Sequence, residues 1–260
     1  MSRISNFFKR NIKEVFRDPI VYIFCLAFPL VMLVLFQVLQ NFTNGNTPIF
    51  ALSSLLPAII MFSYTFVMLL MALSVSKDRQ TFFLKRLYSS PMKAKDFILG
   101  YALVGILIGL IQTLACIVFA FVIALISNTE FLSIARILLL IVSQLPILIV
   151  FVFFGIFFGT IFNDKSAPGL SSIIISLAGM LGGCWMPVDA MGGFETFCRV
   201  LPFYPSVYIG RIISNATKSM GSPYSFDNTA ILGIACILIF MLASIISSVI
   251  AFRKSMVSDK

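Results

Sequence analysis

The sequence predicts an all-α integral membrane protein with six transmembrane helices, and three observations predict it. The 260 residues are 60% hydrophobic and only 11% charged, too little polar surface to coat a water-soluble domain. Apolar runs of about 20 residues recur, matching the roughly 30 Å hydrocarbon core of a bilayer. The cations are clustered: 15 of the 19 Lys and Arg lie in segments 1–18, 76–96, 163–166 and 253–260, leaving Arg136, Arg199, Arg211 and Lys218. This positive-inside distribution assigns both termini and the 76–96 loop to the cytoplasm, and an even number of spans agrees with it. The net charge of +9 is thereby explained without a nucleic-acid partner. The chain reads as one transmembrane domain over residues 1–260, surrounded by membrane lipids.

Each element follows in order. Over Ser2–Asp18 the apolar Ile4, Phe7, Phe8, Ile12, Val15 and Phe16 fall near one helical face, with Arg3, Lys9, Arg10, Lys13 and Arg17 over the rest. That pattern predicts an amphipathic helix in the cytoplasmic membrane interface, with Pro19 at the bend into the first span. The spans are expected at Pro19–Leu39, Phe50–Val75, Phe97–Ile126, Ile137–Phe162, Ala167–Trp185 and Ala230–Phe252. The first is too long for a cleavable signal and no small-residue cleavage site follows it. Gln40–Pro48 is uncharged and reads as an outer turn. Gly105/Gly109 and Gly155/Gly159 are small-xxx-small pairs in the third and fourth spans, which let helix backbones approach closely. Packing within one subunit is favoured over a dimer contact.

The end of the fifth span and the outer region 186–229 that follows it are broken repeatedly. Gly182, Gly183, Pro187, Gly192, Gly193, Pro202 and Pro205 interrupt apolar pieces too short to cross a bilayer. Short re-entrant helices in the outer leaflet account for this, provided their backbone is buried in protein; a structured loop above the membrane is the other reading. Cys184 and Cys198 fall near the outer face and could pair; Cys25, Cys116 and Cys236 are packing residues in apolar spans.

Catalytic chemistry is hard to place. The chain has no His, which removes most metal sites and His-based catalysis. No Gly-rich phosphate loop with Lys and Ser/Thr is present, so ATP is not hydrolysed by that route. The expected spans hold almost no ionisable residue, unlike ion-coupled transporters. Energy must come from another polypeptide.

The segment Ser76–Asp96 offers an attachment point. Lys77, Arg79, Lys85, Arg86, Lys93 and Lys95 interleave with Phe82, Phe83, Leu84, Leu87 and Tyr88. Such a surface fits an apolar cleft with an acidic rim on a partner, or else a loop snorkelling on anionic lipid.

The order of motifs resembles the permease subunit of the type-2 family of ATP-binding-cassette exporters. The matching parts are the amphipathic N-terminal helix; Asp78-Arg79 leading through a basic-apolar stretch to Ser90-Pro91; a short turn between the fourth and fifth spans; and a Gly-rich end to the fifth span, followed by Trp185-Met-Pro187 and Leu201-Pro-Phe-Tyr-Pro-Ser-Val-Tyr208. The likeness covers nearly the whole chain. It departs at Asp78, where the family often has Glu, and at Phe82-Phe83, where it often has Gly-Thr.

The resemblance implies that residues 76–96 form a cytoplasmic coupling helix inserted into a separate ATPase subunit. Its contact residues would be Lys77, Asp78, Arg79, Phe82, Phe83, Leu84, Lys85, Arg86, Leu87, Tyr88, Ser90 and Pro91. It implies two ATPase copies, a second permease copy or a similar permease, and no cofactor on this chain, with ATP and Mg held by the partner. It implies a substrate path between the second and fifth spans of two subunits, with Phe62, Tyr64, Phe66, Met68, Met71, Ser172, Ser176 and Met180 as candidates. So apolar a path suits a drug, antimicrobial peptide or lipid leaving through a bacterial plasma membrane. Polysaccharide or glycolipid export, or a non-transporting sensor or scaffold, are the alternatives.

Overall fold

The computed structural model describes residues 3–19, 21–43, 47–81 and 93–258, and no β-strand occurs among them. Helix α1 (Arg3–Val15) is followed by π-helical turns at Val21–Ala27 that run into α2 (Phe28–Phe42). A 3₁₀ turn at Pro48–Phe50 leads to α3 (Leu52–Gln80). Then come α4 (Ala94–Ile126), α5 (Ile134–Ile161), α6 (Ala167–Leu181), a 3₁₀ turn at Val188–Ala190, α7 (Gly193–Cys198), α8 (Phe203–Ile213) and α9 (Asn228–Ser258).

Five of the described helices are long and apolar enough to cross a membrane: Val21–Phe42, α3, α4, α5 and Asn228–Val257. The expected fifth span, Ala167–Trp185, falls short. Helix α6 has 15 residues, about 22 Å at the α-helical rise of ~1.5 Å per residue, and ends at Leu181 rather than Trp185. Gly182 takes the C-cap position and Gly183 has φ of +71°, a left-handed conformation that glycine adopts without a Cβ penalty.

Helix α3 is the axis of the bundle. Of its most apolar stretch 83% is buried, against 28% for Val21–Phe42 and 22% for α9, so those two present their apolar surface outward. Glycine makes the close crossings possible, and it does so within the chain. A Cβ built on Gly155 would lie 2.5 Å from the Met68 carbonyl oxygen, and one on Gly159 2.5 Å from that of Ala72. On α4, Gly105 faces Met71 and Val152, and Gly109 faces Leu148.

Several polar groups inside the bundle are paired across helices. Pro57 lies in α3 and has no N–H, which frees the Ser53 carbonyl four residues earlier; the Ser214 hydroxyl donates to it at 2.5 Å. Gln144 on α5 donates to the Ser206 carbonyl at 3.0 Å and accepts from the Ser206 hydroxyl at 2.8 Å. Tyr64 and Thr113 share a hydrogen bond of 2.6 Å between α3 and α4. Unpaired, each group would cost several kcal/mol in an apolar medium.

A second, smaller core gathers Val188, Cys198, Tyr204, Tyr208, Ala216, Tyr224 and Ala230. All five cysteines are free thiols. Cys184 donates instead to the Ala58 carbonyl at 3.3 Å, and Cys198 sits in the small core, so the possible pairing is not formed.

Candidate functional site

The residues expected to attach a partner begin in the last turn of α3, at the basic end of the bundle. Asp78 is 4% exposed, and a carboxylate buried that far must be matched by donors. Three donors meet it. The guanidinium of Arg10 on α1 grips both carboxylate oxygens, at 2.6 and 2.8 Å, the bidentate geometry that makes Arg–carboxylate pairs strong. The Tyr101 hydroxyl on α4 donates at 2.5 Å. Arg10 also pairs with Glu14 one turn on, at 2.6 Å, and Glu14 stands 3.7 Å from Lys77. Burial works to lower the pKa of Arg10, but the hydrogen bond and charge of Asp78, with Glu14, outweigh it and hold it above the usual value.

Apolar contact sets α1 in register for this pair. The Phe7 ring meets Phe97 and Tyr101 edge-on, with centroids 5.4 and 5.1 Å apart. It lies directly over Gly100, where any Cβ would collide with the ring. Val15 is buried as well, while Phe16 stays exposed. The apolar face of α1 is thus spent largely on protein. Arg10, which the sequence pattern placed on the polar cover, turns inward.

The next residue reaches the other way. Arg79 donates Nη1 to the carbonyl of Thr160 in the last turn of α5, where helix carbonyls lack intrahelical donors and a cation is favoured. Asp78 therefore ties the foot of α3 to α1 and α4, and Arg79 ties it to α5. Beyond the loop, Asp96 accepts from the Lys93 amide at 2.9 Å and fixes the start of α4. Residues 82–92 run between these two anchored ends. Phe82, Phe83, Leu84, Lys85, Arg86, Leu87, Tyr88, Ser90 and Pro91 lie outside the described residues.

The family model of the ABC-2 type transporter matches residues 3–215. The chain belongs to the ABC-2 type transporter family. No curated protein matches it. It is accordingly a multi-pass membrane protein and a permease component, without an ATPase site of its own.

The pathway candidates of this ABC-2 permease fall into two groups. Phe62, Tyr64, Phe66, Met68 and Met71 are buried inside the bundle. Phe62 packs edge-on to Trp185 at 4.8 Å and against Phe66 at 5.4 Å. Ser172, Ser176 and Met180 are exposed at i, i+4, i+8 along α6, beside exposed Ile173 and Leu177. Within one chain the two groups do not share a surface.

At the opposite end, the broken segment is anchored by a residue that sequence reasoning only counted. Arg211 on α8 is 1% exposed. It donates to the Gly183 carbonyl at 2.7 Å, the Ser54 carbonyl at 3.3 Å and the Tyr224 hydroxyl at 3.2 Å, joining α3, the end of α6 and the small core. Trp185 folds back over Gly179. Pro187 and Pro202 stand at the N-caps of the 3₁₀ turn and of α8, and Pro205 packs on Gly233 of α9. A lone cation outside the basic segments was the only signal for Arg211.

Proposed function

We propose that this chain is the membrane-spanning permease subunit of an ATP-driven exporter, moving an amphipathic or lipophilic substrate out of the cell. Two copies of a cytoplasmic ATP-binding-cassette ATPase bind ATP and Mg and dock on residues 76–96. Two permease copies form the path. Helix α6 serves as a short fifth of six spans, α7 and α8 as re-entrant helices in the outer leaflet, and both termini face the cytoplasm of a bacterial cell.

The observation that carries this reading is the double tie at Asp78 and Arg79. A loop meant only to connect two spans needs no bidentate ion pair to a buried carboxylate at its foot. One that receives force from an ATPase needs rigid attachment to several helices, so that its displacement shifts the bundle between discrete packings. The exposed Ser172–Ser176–Met180 face, flanked by apolar side chains and free of charge, supports an amphipathic cargo. The burial of α8, with Tyr204, Val207, Tyr208 and Arg211 inside, meets the condition for non-spanning backbone at membrane depth.

Co-expression with the cognate ATPase tests the docking. Phe83→Asp with Leu84→Asp is expected to abolish co-purification of the ATPase and transport in vesicles. Undiminished co-purification would sink the reading.

A further inference from the structure

The basic end carries a second feature, which the coupling role touches only at Lys77. An open cleft of about 910 Å³ lies between the outer side of α1 and the foot of α3. Lys9, Lys13 and Arg17 stand along it at i, i+4, i+8, all exposed, because Phe7 and Val15 hold the opposite side of α1 against the bundle. Lys77 joins them from α3, and Arg10 lies behind. Glu14 and Asp18 are the carboxylates on the cleft, giving five cations against two anions. Asp78 neutralises Arg10 from within, which still leaves an excess of positive charge.

The setting of the cleft selects its ligand. Pro19 closes one side of it, and the first span begins two residues later. Phe16, Tyr22, Ile23 and Phe24 there are exposed large apolar groups, and the Tyr22 hydroxyl folds back on the Phe16 carbonyl at 2.9 Å. A cationic concavity thus sits directly above an uncovered apolar strip. A soluble anion would use only the first, and an acidic protein surface would leave the second bare. We propose that this cleft binds the phosphate headgroup of an anionic phospholipid, whose acyl chains lie on the strip. Arg and Lys supply the charge-assisted hydrogen bonds, and basic pockets of this kind suit anionic headgroups on the inner leaflet. The inference rests on the cytoplasmic orientation of α1 given above.

Native mass spectrometry of the full-length chain in detergent, titrated with phosphatidylglycerol or phosphatidylcholine, tests it. Phosphatidylglycerol should be retained preferentially. Lys13→Gln with Arg17→Gln should weaken that retention about thirtyfold, at roughly 1 kcal/mol per charge, and leave phosphatidylcholine unaffected. Arg253→Gln with Lys254→Gln, two exposed basic residues on α9, should change nothing. Equal losses from both pairs would show diffuse surface charge and overturn the site, as would no loss from either. Displacement of the lipid by glycerol 3-phosphate at matched concentration would overturn it in favour of a soluble phosphate. ATPase co-purification separates the two readings. Its persistence in the Lys13/Arg17 variant, alongside lost lipid, supports the headgroup site; its loss with lipid retention intact reassigns the cleft to the ATPase and leaves the permease role standing.

Discussion

Asp78 is held by one cation and one phenol drawn from two different helices, and each partner depends on it in turn. Removing the carboxylate takes from Arg10 its bidentate partner, while removing Arg10 leaves a carboxylate that is 4% exposed with the Tyr101 hydroxyl. Breaking a fully buried pair costs about 3–5 kcal/mol. The Arg10 side chain is 33% exposed and keeps Glu14 as a second partner, so a smaller loss is expected. Asp78→Ala should destabilise the chain by about 1–2 kcal/mol, read as lower thermal stability in detergent. A double-mutant cycle with Arg10→Gln should give a coupling energy above ~1 kcal/mol; additive losses would mean the pair contributes nothing. Asp227 makes a different case at the other end. It accepts from the Thr229 and Ala230 amides at 3.1 and 3.3 Å and from the Tyr208 hydroxyl at 3.2 Å. Partial burial pushes its pKa up, but those donors, with Lys218, hold it below the usual carboxylate value. A depressed pKa means that this stabilisation is complete above the ordinary carboxylate range and is lost as pH falls through the folded value. Hydrogen-exchange protection around 217–230, corrected for the intrinsic pH dependence of exchange, should therefore fall in acid and stay flat from neutral pH upward. Asp227→Asn should keep the cap and lose that acid response.

At the scale of elements, the glycine crossings decide how tightly α5 can lie on α3. At Gly155 the obstacles are backbone and a Cβ, the Met68 carbonyl oxygen at 2.5 Å and the Met71 Cβ at 2.7 Å, which cannot swing aside. At Gly105 they are the Met71 sulfur and Val152 methyls, all at 3.0 Å. Gly155→Ala should cost about 1–3 kcal/mol and broaden the size-exclusion peak, whereas Gly105→Ala should be milder. The long helices were legible in the sequence because lipid demands unbroken apolar length, and α1 because its apolar residues recur at helical spacing. Helix α6 ends four residues before the expected limit of its span: Cys184 and Trp185 look like more apolar span, but Gly183 turns the chain before them. The docking of α1 was not legible at all. Phe7 meets Phe97 and Tyr101, and Arg10 meets Asp78 68 residues away, pairings that no local period records. The Arg79 contact has a backbone carbonyl as its acceptor, and so carries no side-chain signal.

Across the whole molecule, charge is sorted by end and apolar surface by depth. The basic end gathers the anchored loop and the cationic cleft. The far end is closed by the small aromatic core under Arg211. Between them α3 runs through the bundle, meeting the loop at one terminus and the Arg211 network at the other through the Ser54 carbonyl. This layout gives the Phe83/Leu84 test its reach: a lesion in the loop should stop transport without unfolding the opposite end, which near-ultraviolet circular dichroism of the tyrosine cluster would follow.

The brace formed by Phe7, Arg10, Asp78 and Tyr101 bears on how this protein is handled. The first eighteen residues look, on paper, like a basic tail that could be trimmed for expression or loaded with a purification tag. Within them, the side of α1 that carries Phe7, Asn11 and Val15 is instead a piece of the interior wall. A shortened version would uncover the Phe97 ring and leave a buried acid facing a single phenol.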